Sequence, residues 1–155
     1  MICSGAQRLL RKVHPDPIDP QFRIATPEGD FWLGVTLPDA ADGRARLFTA
    51  LKKLLAYKRA LAFTLASESH VPDAVMCIGV SAADRLMCLS RIEREPLGFS
   101  EPEWMASTSI DPMVVNLMPN ALMNVTGDDL RQLQGWFGAD GMFPIVHIES
   151  KKIGL

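Results

Sequence analysis

Two apolar runs separated by four residues, DAVMCIGV at 73–80 and RLMCLSRIE at 85–93, constrain this chain more than any other feature. They read as adjacent antiparallel strands with SAAD as the loop. With that loop Val80 faces Arg85, and stepping outward sets Cys77 opposite Cys88. The register places Met76, Ile78, Val80, Met87 and Leu89 on one face, and Val75, Cys77, Gly79, Leu86 and Cys88 on the other. Both faces are apolar, so the strands belong centrally in a sheet, beneath helices. A slip of one residue would break the cysteine pairing and exchange the faces.

The segments before and after this pair supply the rest of the fold. Residues 1–20 contain a short amphipathic turn around Leu9 and Leu10 and then HPDPIDP, whose three prolines in six positions remove amide donors and exclude helix. This stretch is expected to be an extended arm, with the fold starting at Gln21. QFRIA, the turn TPEGD and FWLGVTL form a hairpin in which Phe31, Leu33, Val35 and Leu37 share one face, opposite Trp32, Gly34 and Thr36. From Asp39 or Asp42, either of which can cap a helix, Leu47, Leu51, Leu54 and Leu55 recur at helical spacing. Continued to residue 67, the same helix would place Lys58 among its leucines. Its unusual length favours a break near Lys58, with ALAFTLAS as a strand.

Towards the C-terminus, Ser100 and Glu103 in FSEPEWM have capping-box spacing for a short helix, and DPMVVNLMP suggests a strand between prolines. In NVTGDDLRQLQGWFGADG, Thr126 and Asp129 repeat the capping box, Leu130, Leu133 and Phe137 form the buried stripe, and Gly138 is the stop. MFPIVHIE reads as a final strand, at an edge or with Pro144 in an initial position, because Pro144 cannot donate to a ladder.

A chain of 155 residues with 48% hydrophobic and 22% charged residues is of single-domain size and belongs to the globular class. A net charge of −2 gives no whole-domain attraction for nucleic acid or an anionic membrane. No stretch approaches the roughly 20 apolar residues of a membrane span, and no signal-peptide pattern opens the chain, so cytoplasmic residence is the expectation. Cys3, Cys77 and Cys88 include no CxxC pair. That argues against a zinc ribbon or a redox motif, and in a reducing compartment Cys77 and Cys88 read as two small buried thiols rather than a bridge.

Several residues could carry chemistry. SESHVPDAVMC brings Glu68, His70, Asp73 and Cys77 within ten positions, but the spacing matches neither HExxH nor a paired Cys/His site. Asp73 after Pro72 reads as turn chemistry, and no metal or cofactor is expected. Lys58, if enclosed among leucines, could bind an anion or serve as a base, and with Glu68 and His70 would form the polar pocket of a small hydrolase or transferase. Snorkelling to water, or a helix break, is the simpler role for that lysine. Arg44, Arg46, Lys52, Lys53, Lys58 and Arg59, with no acidic residue between Asp42 and Glu68, could contact nucleic acid. Their directions scatter around a helix, and no set of stacking aromatics accompanies them. His147 and Glu149 share a strand face, without a GxSxG serine or a phosphate-binding glycine loop elsewhere.

Trp104 beside polar SEPE, and Met118 and Met123 in LMPNALMNV, are the candidates for an association surface. The expected object is a single α+β domain over residues 21–155, preceded by the arm over 1–20. A largely antiparallel or mixed sheet packs against one long helix and two shorter ones. The leading functional reading is a non-catalytic interaction or accessory protein that self-associates, with the small enzyme and the basic-helix nucleic-acid binder as alternatives.

Overall fold

In the computed structural model, which describes residues 2–14, 16, 18–120, 123–137 and 145–146, the central runs pair as their spacing requires. Strands β4 (Asp73–Ser81) and β5 (Arg85–Arg94) are antiparallel, with Val80 opposite Arg85 and Cys77 opposite Cys88. Around them lie β1 (Gln21–Thr26), β2 (Gly29–Val35), β3 (Ala62–His70), β6 (Leu97–Phe99), β7 (Glu103–Met105) and β8 (Ile145–Val146). The order is β6-β5-β4-β3-β1-β2-β8, with β7 also on β5 beside β6, and every pairing is antiparallel. The short β8 takes an edge, as the proline at 144 anticipates.

One face of the sheet packs on the long helix α2 (Ala41–Tyr57), which buries the anticipated stripe Leu47, Leu51, Leu54 and Leu55 completely. These leucines meet Phe22, Ile24, Leu33, Val35, Phe63, Leu65, Ile78 and Val80 from the strands, with Leu133 and Phe137 of the shorter helix α4 (Gly127–Phe137). At about 2 kcal/mol per buried leucine side chain, this stripe alone outweighs the modest helix propensity of its polar residues. The N-cap is Ala40, without a side-chain hydrogen bond, rather than Asp39 or Asp42, and Asp42 instead sits in the first turn.

Lys58 is where α2 stops. Arg59 adopts φ 53°, its amide donates to the Ala56 carbonyl at 3.0 Å, and the Ala60 amide donates to the Leu55 carbonyl at 2.9 Å. This Schellman closure satisfies the last carbonyls and releases the chain into β3. The break expected at Lys58 therefore occurs, and the lysine sits at the cap instead of among leucines.

Three expectations are corrected. Residues 2–13 form a helix, α1 (Ile2–Val13), in place of an extended arm. Ala6 and Leu10, one turn apart, are buried on the second sheet face against Ala66, Val75, Cys77, Cys88 and Ile92. The prolines follow the helix rather than lie within it, and Ile18 beyond them is buried in the same cluster. FSEPEWM contains a strand, β7, because the Ser100 hydroxyl accepts the Arg91 amide at 2.9 Å and so is committed to β5 instead of capping a helix. DPMVVNLMP begins with the single helical turn α3 (Pro112–Val115), because the Asp111 carboxylate accepts the Met113 amide at 2.8 Å with Pro112 at the first helical position.

The second face thus has its own small core, tied by a buried polar contact. Ser90 is fully buried; its hydroxyl accepts from Gln7 of α1 at 3.1 Å and donates to the Ser100 carbonyl at 2.5 Å. Arg11 lies over the Phe99 ring, 5.3 Å from its centroid.

Candidate functional site

The polar cluster before β4 resolves into an ion-pair clamp. Glu68, His70 and Asp73 all project from the α1 face, since alternate strand positions share a face and His70 pairs with Asp73. Arg94, at the end of β5, completes the set. Its Nε and Nη2 donate to the two oxygens of Asp73, each at 2.7 Å, and Nη2 also reaches Glu68 Oε1. The second Glu68 oxygen accepts the Ile18 amide at 3.1 Å. Glu68 is 3% exposed, whereas Arg94 and Asp73 are 32% and 38% exposed. The clamp joins the β3–β4 turn, the end of β5 and the segment after α1.

Its electrostatics are those of a lock. The hydrogen bonds from Arg94 hold the Asp73 carboxyl below the ordinary carboxylate range, and the two carboxylates hold the guanidinium firmly protonated. Arg94 donates to both side chains at once, so the guanidinium fastens the two strands' carboxyl groups to one cation. His70 is exposed beside the clamp.

Lys58 does not join Glu68 and His70. It lies over the Tyr57 ring, 5.3 Å from the centroid, at the end of α2, and Glu68 is six strand positions beyond Ala62, about 20 Å along β3. The basic residues of α2 are likewise spread apart. Arg44 donates to the carbonyls of Pro38 and Asp39, Arg59 pairs with Glu28, and Lys53 bridges to Asp129 at 2.7 Å and Gln132 at 3.0 Å. They form no common stripe.

The Lys53 bridge has a consequence for acid stability. Lys53, then the Thr126 amide and hydroxyl, donate to Asp129 and hold its carboxyl down at about 2. The Asp129 amide in turn donates to the Thr126 hydroxyl, which is the capping box anticipated for α4. A depressed folded pKa contributes stability that is complete above the ordinary value and lost as pH falls through the folded one. The difference in melting temperature between the parent and Lys53→Met is therefore expected to be constant above pH 4. It should shrink as pH falls from 3.8 towards about 2.

Of the three association candidates, only Trp104 faces solvent. Strand β7 places it opposite Cys88 on the α1 face, 71% exposed, while Leu86 two positions from Cys88 is 57% exposed. Met105 is 40% exposed on the opposite face. Met118 is half-buried against the main core, and Met123 is half-buried. Among the described residues β7 pairs with β5 alone, so its outer backbone edge is open. His147 and Glu149 lie outside the described residues.

No family model, curated protein or solved structure matches this chain. Its chemistry rests on its own residues. Among the described residues no group of three or more His, Cys, Asp or Glu could hold a metal ion, and no helix is long and apolar enough to cross a membrane.

Sequence reasoning passed over Arg94. The signal was present: extending the Cys77–Cys88 register outward sets Arg94 on the same face as Asp73 and just beyond it. The turn position of Asp73 after Pro72 points to turn chemistry alone. The carboxylate serves both, because the turn that carries it is what Arg94 fastens.

Proposed function

We propose that this chain is a non-catalytic interaction protein that self-associates through the open β7 edge. The exposure of Trp104 on an outermost strand carries the reading. An indole is a large apolar surface with one donor, a combination that recurs at the centres of protein interfaces. An edge strand also offers unpaired amides and carbonyls to another strand. Two copies of β7 laid antiparallel about a two-fold axis near Trp104 satisfy both needs, because the patch is then its own complement. Leu86 extends the apolar surface on the Trp104 side. The alternative enzymatic reading loses its support with the separation of Lys58 from Glu68 and His70.

Sedimentation velocity over a concentration series tests the proposal. The parent is expected to dimerise at micromolar concentrations, with Trp104→Ser weakening the dimer by a factor of at least about 30, the scale of a tryptophan hot spot. A parent that stays monomeric at high concentration, or a Trp104→Ser dimer of unchanged strength, would remove the reading.

A further inference from the structure

Between the α2 face of the sheet and the segment 109–114 lies a cavity of about 250 Å³ that the proposed association does not use. Phe22, Leu51, Leu65, Ile78, Met76 and Val114 supply its apolar walls. The first four are almost fully buried, so most of the wall is rigid core. The polar groups on its boundary are Ser67, Ser109 and Asp111.

Ser67 leaves room in the sheet wall of the cavity. Along β3 the α2 face reads Phe63, Leu65 and then Ser67, which pairs with Met76, so a small hydroxyl stands where the pattern would place another large side chain. It is a cleft rather than a sealed void: Leu37, Ser109 and Asp111 on its rim are exposed, so it opens to solvent on that side. An apolar cavity of about 150 Å³ already stays dry and takes up benzene. The space here is larger than that. A compact molecule is what fits.

Its chemistry follows from the lining. Asp111 already accepts the Met113 amide through Oδ1, and its carboxylate disfavours an anion and can accept from a hydroxyl, while the apolar walls would leave a cation poorly solvated. We infer that this cavity binds a small, uncharged and largely apolar molecule that carries one hydrogen-bond donor.

Fluorescence titration of the full chain with 2-naphthol tests the assignment. Saturable binding is expected, with a Kd on the order of 100 µM for a probe of this size. The anionic 2-naphthoate should bind at least tenfold more weakly. Val114→Phe, which fills the cavity from the 109–114 side, and Ser67→Leu, which fills it from the sheet, should each weaken 2-naphthol at least tenfold. Their circular dichroism should be unchanged, and if one variant fails to fold the other carries the comparison. Trp104→Ser should bind the probe as the parent does. A titration that never saturates, equal binding of naphthoate, or undiminished binding in a folded filled variant would overturn the assignment. So would loss of binding in Trp104→Ser, which would place the probe at the β7 edge instead.

Discussion

Leu10→Ala is expected to destabilise the protein by about 3 kcal/mol, the usual cost of removing a buried leucine side chain and leaving the space. Leu10 is completely buried, and it covers Ala66, Val75, Cys77, Cys88 and Ile92 together with Ala6 and Ile18. A solvated arm would give a different result, since exposed substitutions of this kind change stability by no more than about 0.5 kcal/mol. Urea denaturation separates the two, with a lower midpoint and an unchanged slope as the expected outcome. Thiol labelling supplies a local readout. Cys77 and Cys88 are 4% and 8% exposed beneath α1, so in a Cys3→Ser background their modification by a maleimide should be slow. Adding Leu10→Ala should accelerate it by loosening the helix. Unchanged stability together with unchanged labelling would mean that α1 does not hold the second core.

Arg94→Ala is expected to cost about 2 to 3 kcal/mol, somewhat below the usual figure for a fully buried pair because the guanidinium is partly exposed. The cost comes mainly from what is left behind. Glu68 is 3% exposed, and without Arg94 its charge is supported by the Ile18 amide alone. Glu68→Gln should therefore recover part of the loss when combined with Arg94→Ala, since the neutral amide can still accept from Ile18 while no buried charge is stranded. Arg94→Lys keeps the charge but not the fork that holds both oxygens of Asp73, and should fall between the parent and alanine. The sign with pH follows from Asp73, whose carboxyl is depressed in the folded state. Its contribution is complete above 3.8, the ordinary value, and fades as pH falls below it. Equilibrium unfolding of the four variants across that range measures both effects, and a purely additive double mutant would show that Glu68 and Arg94 are not coupled.

Much of the architecture was legible in the residues. The register of β4 against β5 followed from a four-residue loop and two apolar faces, down to Cys77 opposite Cys88. The stripe of α2, its end at Lys58, and the capping box of α4 were likewise written in short spacings. Where reading failed, a local signal was outweighed by a distant partner. The Ser100–Glu103 spacing suggested a helix, but the Ser100 hydroxyl was taken by the amide of Arg91 on a neighbouring strand. The prolines after residue 14 suggested an arm, but an uncovered sheet face offered Ala6 and Leu10 somewhere to be buried.

The candidate sites divide in the same way. Trp104 was recognisable as a large aromatic in polar company, yet whether it would be core or surface depended on β7 becoming an edge. The clamp needed Arg94 to meet residues 21 and 26 positions away, and Glu68 to meet an amide 50 positions away. By itself the sequence determined periodicity, strand register and the ends of helices, because these depend on side chains a few residues apart. Tertiary structure alone decided which polar groups meet, which apolar groups are covered and where space is left, because each depends on surfaces that come together only when distant segments pack.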